Sequence, residues 1–286
     1  MRLIPKRKLS DGGMISVIGF GGLMASGITQ NQVDRAVDEA ISAGVNFFDV
    51  APTYGDAEVK LGNSLSGRRN NVFLSCKTTQ RDKQGSLFEL IQSRKRLRTD
   101  YFDFYVIHGI RDIKNDVEPA CSKDGVLITA IEAKKQGIIA RIGFSAHTEE
   151  SAISALDAYD FDFVIFPINI FCFLSSNFGG RIIRITEQKN IDLIGIKSLA
   201  FGKWQDNTMK QKYPNCWYQP IENTAIAKIA NSWALHQNVV SLIPPADIGM
   251  FRNALNLVED ALTGKPREND IKRIKELLQD IAPIFP

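Results

Sequence analysis

Short apolar runs rich in β-branched and aromatic residues recur along the chain, and between them apolar residues return at helical spacing. The runs predict eight strands, at residues 14–20, 46–50, 72–77, 102–108, 139–145, 161–167, 192–198 and 239–244. In the helical segment 31–44, Val33, Ala36, Val37, Ala40 and Ile41 share one face, and the segment ends on Gly44, a residue suited to the position after a helix. Segments 85–97, 126–137, 222–237 and 249–262 read the same way, and 268–281 reads as an extra C-terminal helix.

Strands alternating with helices imply parallel βαβ units. In 286 residues the architecture that fits best is an α/β fold, a (β/α)8 TIM barrel with long loops after strands 4 and 7. An open doubly wound sheet is the alternative. The dinucleotide fingerprint expected of the alternative is not met, because "GFGGLM" offers Gly19 and Gly21 but has Met24 where the third glycine belongs. A tight turn beside a ligand is the plainer reading of these glycines. No break in composition divides the chain, so residues 1–286 are expected to form one domain.

The composition adds mainly exclusions. Hydrophobic residues make up 44% and charged residues 23%, as in ordinary soluble proteins. A net charge of +3 gives no general reason to expect nucleic acid, yet it does not repel a phosphorylated cofactor. The basic run Ser93–Arg98 carries Leu97 inward and reads as a solvated helix face. Cys76, Cys121, Cys172 and Cys216 form no CxxC pair, and His108, His147 and His236 have no HExxH spacing, so no metal site is expected. The most apolar stretch, 161–176, contains Asp162, Pro167 and Asn169 and is too short and polar for a membrane span. The basic N-terminal stretch lacks the apolar core of a secretory signal, so a cytoplasmic location is expected.

The polar residues at strand ends carry the chemical signal. In a β/α barrel the C-terminal strand ends hold the catalytic groups. Strand 2 ends on Asp49, with Tyr54 in the following loop; strand 3 ends on Lys77 and strand 4 on His108. Singly, Asp49 and Lys77 suit a structural ion pair, His108 a core histidine and Tyr54 a packing residue. Together at equivalent positions they form a set with a chemical logic. A phenol has a pKa of about 10, a neighbouring ammonium lowers it, and a carboxylate holds that ammonium charged. His108 then orients a carbonyl oxygen beside the acid Tyr54, which suggests carbonyl reduction with hydride brought by a cofactor.

These residues, set in "FFDVAPTYGDAE", "FLSCKT" and "FDFYVIHG", together with "RIGFSAHT", resemble the aldo-keto reductases over most of the chain. The resemblance implies Tyr54 as proton donor, Lys77 and Asp49 tuning it, and His108 orienting a small-molecule carbonyl substrate. It also implies a nicotinamide dinucleotide, NADP(H) in preference to NAD(H), extended across the rim. By the same resemblance the cofactor would meet Gly21, Gly22, Leu23, Ser145, Asn169, Lys197, Ser198, Leu199 and Arg252. The family's usual asparagine, glutamine and stacking tyrosine are replaced here by Ala146, Ile165 and Lys197. Asp247 lies where a basic residue often grips the 2′-phosphate, and an acidic residue near a ribose is a feature of NAD sites.

The loops after strands 4 and 7, 109–125 and 201–220, are long enough to shape a substrate pocket. Trp204, Trp217 and Tyr218, with Tyr213, either line that pocket or pack the loop on the barrel. Phe171 and Phe173 either face substrate or fill the core, and His147 either touches cofactor or makes a loop hydrogen bond. Three functions compete. They are a carbonyl reductase, a catalytically retired cofactor-binding regulatory subunit of the same fold, and a lyase or isomerase using Lys77 as a Schiff base. The intact Asp49–Tyr54–Lys77–His108 set favours the first, and the charge that Asp49 imposes on Lys77 disfavours the third.

Overall fold

The computed structural model describes residues 3–205 and 207–286. Eight parallel strands form a barrel: β1 (Phe20–Gly21), β2 (Phe47–Asp49), β3 (Phe73–Thr78), β4 (Phe102–Ile110), β5 (Ile139–Ala146), β6 (Phe163–Pro167), β7 (Asp192–Ile196) and β8 (Val239–Ile243). Each strand pairs with its successor. The barrel closes where the segment before β1 meets β8: Gly19 N donates to Leu242 O and Leu242 N to Val17 O, both at 2.9 Å.

The run at 14–20, expected to be one strand, is divided between two sheets. Met14–Ser16 pairs antiparallel with Lys6–Lys8 as a hairpin, and only Phe20–Gly21 joins the barrel ladder. The switch occurs across Val17–Gly19, because Val17 N still donates to Pro5 O at 3.1 Å. Leu9 and Ile15 from the hairpin pack with Phe47, Phe104, Phe163 and Ile194 in one buried cluster. Phe104 sits at its centre, its ring 5.3 Å from Phe47, 5.9 Å from Phe73 and 4.9 Å from Phe163.

This cluster explains how the polar rim is set. Alternate residues of a strand share a face. Stepping by two from the phenylalanines leads from Phe47 to Asp49, from Phe73 to Ser75 and Lys77, and from Phe104 through Val106 to His108. One face of each strand is therefore apolar at its start and polar at its C-terminal end.

The expected helices appear at Gln30–Ser42, Lys83–Leu97, Val126–Lys135, Thr224–Leu235, Ile248–Leu262 and Glu268–Leu277. Side chains cap them where the sequence offers oxygen: Thr29 forms a capping box with Gln32, and Asp82 and Asp247 accept from Gly85 N and Met250 N. Four further helices, Ala57–Ser64, Glu149–Ala158, Ile170–Ser176 and Gly180–Gln188, complete the outer layer. The loop after β4 holds a π-turn at Ile113–Val117 and a short helix at Glu118–Cys121. In the loop after β7, Ala200–Gly202 pairs with Gln219–Pro220. Among the described residues, no helix is long and apolar enough to cross a membrane.

Candidate active site

A cleft of about 270 Å³ opens at the C-terminal ends of the strands, walled by Gly21, Asp49, Tyr54, Lys77, His108 and Ser145 among others. Its base is an ion pair. Asp49 and Lys77 are only 4% and 3% exposed, and the Lys77 ammonium donates to Asp49 Oδ2. The other carboxylate oxygen, Oδ1, accepts from Ser75 Oγ at 2.8 Å. Asp49 and Ser75 are register partners on β2 and β3, and Lys77 is two residues further along β3, so strand pairing alone brings the three groups together. Burial is the largest single effect on the Lys77 ammonium and works against it, but Asp49 together with Tyr54 makes the net shift of the lysine upward.

Tyr54 lies on the turn after β2, with the Lys77 ammonium 5.6 Å from its ring centroid. His108 meets the Tyr54 ring edge-on at 6.0 Å between centroids. The Tyr54 side chain is partly buried. Burial raises its pKa, Lys77 pulls it down and Asp49 pushes it up, with a net upward shift. The sequence logic had the ammonium lowering the phenol; it does so, but desolvation is the larger effect. Burial, then the positive charge of Lys77, holds the His108 imidazole well below its ordinary pKa. Its Nδ1 is buried without a hydrogen-bond partner. At neutral pH the site therefore holds a neutral phenol and a neutral imidazole beside a fixed ammonium–carboxylate pair.

Of the residues expected at a cofactor, Gly21, Leu23, Ser145 and Lys197 line the cleft. Ser145 Oγ accepts from Gly109 N at 2.8 Å, which leaves its own hydroxyl proton to donate. Gly22, Asn169, Ser198 and Leu199 are buried behind the wall, and Arg252 is exposed on the surface. A Cβ at Gly22 would meet Asp49 O at 2.8 Å and Val50 Cβ at 2.9 Å, so this glycine allows a close approach to β2. Asn169 caps the helix after β6, and its amide donates to Lys197 O and Ala200 O at 2.9 and 2.8 Å. Ser198 Oγ donates to Asn231 Oδ1 at 3.1 Å, and Leu199 is fully buried. The Arg252 guanidinium pairs with Glu39 at 2.9 Å, and Asp247 is occupied as a helix cap.

Trp217 and Tyr218 line the cleft, while Trp204 does not. The Trp204 indole donates to Cys216 O at 2.9 Å and its ring stacks on Tyr213, so it packs the loop. Phe171 is fully buried, against Phe201, and Phe173 packs on Trp233. His147 lines the cleft, its Nδ1 lying 3.1 Å from Lys197 Nζ.

Arg111 and Asn215, also in the cleft wall, were not expected there. Both lie in loops where no periodicity fixes direction; the only sequence signal was their place within the two long loops. Ile165, Ile196 and Ile243 give the cleft an apolar side. A nicotinamide ring suits that side, with the Ser145 hydroxyl as donor; Asn169 has both amide protons committed elsewhere. Among the described residues, no three histidine, cysteine, aspartate or glutamate side chains cluster as a metal site would require.

A family model described as Aldo/keto reductase family matches residues 17–247. An uncharacterized oxidoreductase of Bacillus subtilis, YqkF, is 31% identical over 156 residues, covering 49% of this chain and 48% of that protein. The match thus spans about half the length of that relative. Among solved structures, an aldo-keto reductase from Bacillus halodurans in its holo form superposes with a TM-score of 0.73 at 18% identity, covering 96% of both chains. One from Klebsiella pneumoniae in complex with NADPH gives 0.72 at 17% identity, covering 96% of this chain and 95% of that one.

Proposed function

The chain belongs to the aldo/keto reductase family, and from that premise we propose that it reduces the carbonyl of an aldehyde, ketone or sugar-type substrate to an alcohol, with a nicotinamide dinucleotide as cofactor. The observation that carries the reading is the buried Lys77–Asp49 pair beneath Tyr54, with His108 at the edge of the same ring. When bound, the cofactor supplies the hydride. Gly21, Leu23 and Ser145, which line the cleft, would hold it.

The chain's own residues supply the rest. Tyr54 is protonated at neutral pH, as an ordinary phenol is and the more so with burial raising its pKa, so it enters the reaction as an acid. As negative charge grows on the carbonyl oxygen, the phenol gives up its proton. The Lys77 ammonium then stabilises the phenolate through a desolvated medium, where charge interactions are strong. Asp49 keeps that ammonium in place. Neutral His108 donates a ring N–H to the carbonyl oxygen and turns it toward Tyr54. The preference for NADP(H) over NAD(H) rests on family resemblance and on the Klebsiella relative in complex with NADPH. Asp247 and Arg252 are both already engaged within the protein.

Ala146, Ile165 and Lys197, which stand where the family usually has hydrogen-bonding and stacking groups, support the second reading, a cofactor-binding subunit without turnover. The intact catalytic set weighs against it. The deciding experiment follows loss of NADPH or NADH absorbance with a panel of aldehydes and ketones, for wild type and Tyr54→Phe. Turnover that falls by about 100-fold or more in the variant, with cofactor affinity retained, is the expected result. Undiminished turnover removes Tyr54 as the acid, and cofactor binding without turnover in wild type favours the second reading.

A further inference from the structure

The cleft has a second set of charges that carbonyl reduction does not use. Lys197 follows β7 with φ +63°, a left-handed conformation that an L side chain rarely adopts. Asn169 holds its carbonyl in that turn. The side chain is only 7% exposed, yet its ammonium lies in no ion pair among the described residues. It faces His147 Nδ1 at 3.1 Å, the Trp217 ring at 5.3 Å and the Phe285 ring at 5.1 Å.

Arg111 stands beside this group on the loop after β4. Its backbone is pinned to the end of β5, since Thr148 Oγ1 donates to Arg111 O at 3.2 Å. Among the described residues its guanidinium also has no carboxylate partner. The nearest acids on its loop are committed elsewhere: Asp116 binds Arg81 and two backbone N–H groups, and Asp112 caps the π-turn. Across the gap, Glu149 and Glu150 both engage Arg181. Two cations thus converge on one cavity, with no anion paired to either among the described residues. Burial and Arg111 together bring Lys197 down to about 7. An uncompensated buried ammonium is costly, and a bound anion would remove the cost.

The position of the pair assigns that anion to substrate. Arg111, His147 and Trp217 wall the cleft together with Tyr54 and His108, and with Thr148 and Phe285 they also line a second cavity of about 490 Å³. Arg111 reaches this side from the end of β4 and Lys197 from the end of β7.

Resting on the reductase reading, we propose that the substrate is an acidic carbonyl compound, whose carboxylate or phosphate is held by Arg111 and Lys197 while its carbonyl lies at Tyr54 and His108. The aromatic faces of Trp217 and Phe285 serve the ligand-free state, where they soften the exposed side of the ammonium.

The test compares matched substrates that differ only in the acidic group. Succinic semialdehyde is set against butanal, and glyceraldehyde 3-phosphate against glyceraldehyde, in wild type, Arg111→Ala and Lys197→Met. In wild type the acidic member of at least one pair is expected to have a kcat/KM higher by about tenfold or more, as a charge-assisted hydrogen bond provides. The ratio should collapse toward one in both variants, mainly through KM. Which pair shows the preference tells carboxylate from phosphate. Ratios near one in wild type for both pairs, or ratios unchanged in Arg111→Ala, overturn the proposal.

A titration of tryptophan fluorescence with succinate and with inorganic phosphate needs no turnover. If no carbonyl is reduced, the reductase reading fails. The titration then decides the anion site alone: saturable binding that Arg111→Ala abolishes supports it, and no binding overturns it.

Discussion

Replacing Asp49 with asparagine isolates the central electrostatic feature of the site. Asparagine keeps the volume and can still accept from Ser75 Oγ, which now meets Asp49 Oδ1 at 2.8 Å. What disappears is the charge opposite a lysine that is 3% exposed. Breaking a buried pair from one side costs about 3–5 kcal/mol. Lys77 also has an escape, because it can shed its proton. At pH 7 that costs about 5 kcal/mol, being about 3.4 units below the ordinary lysine pKa at about 1.4 kcal/mol each. The two routes agree, so the loss at pH 7 is capped near about 5 kcal/mol. In a chain of this length each kcal/mol lowers Tm by roughly 2 °C, giving a fall of about 6–10 °C.

The escape route fixes the pH dependence. If Lys77 is neutral in the variant, its folded state has lost a proton that the unfolded chain still binds, so stability rises with pH. Between pH 7 and 9 the deficit against wild type should shrink by about 2.7 kcal/mol. Adding Lys77→Met removes the stranded cation, so the double variant should recover much of the loss. The assay is thermal unfolding by circular dichroism at one scan rate, at pH 7 and pH 9, for wild type, both single variants and the double. A deficit below about 1 kcal/mol, or one that is pH-independent and additive with Lys77→Met, refutes the coupled buried pair.

Lys197 gives a second pH signature. Its folded pKa of about 7 lies below the ordinary 10.5, so from pH 7 to 9 the unfolded chain binds more protons and this group makes stability rise, by up to about 1.4 kcal/mol per unit. Lys197→Met should flatten that rise in thermal melts of the ligand-free protein. Gly62→Ala should destabilise by about 1–3 kcal/mol in the same melts, because the new Cβ would run into Arg96 O and meet Leu97 Cα at 2.8 Å. Those are backbone atoms of the neighbouring helix and cannot swing aside.

The barrel was legible in the sequence because its strands are continuous apolar runs, and runs such as 102–108 admit no helical period. The quartet was legible for a related reason: once a strand's end is known, its last inward residue is known too, and Asp49, Lys77 and His108 follow by counting in twos. The helices at Ala57–Ser64 and Glu149–Ala158 gave no comparable signal. Their buried faces are built of Ala57, Glu58, Leu61 and Gly62, and of Ser151, Ala152, Ala155 and Leu156, too small and mixed to form a clear apolar stripe. Arg111, Asn215 and Phe285 come from loops and from near the end of the chain, and tertiary packing alone sets their direction. Trp204 carried the opposite risk: a large aromatic in a rim loop reads as pocket lining until its hydrogen bond to Cys216 is known.

The seam between Gly19 and Leu242 bears on the order in which the molecule can assemble. Asp49 and Lys77 sit on adjacent strands a short stretch of chain apart, so their pairing needs only the local β2–β3 unit and could exist in a sheet that is still open. The cleft has no such shortcut. Gly21 comes from the first barrel strand and Ile243 from the last, and they become neighbours only when nearly the whole chain has been looped back on itself, a contact of high sequence separation. Charge pairing and ligand capture therefore report on different moments of folding. In a refolding experiment, recovery of binding is a clock for closure of the seam.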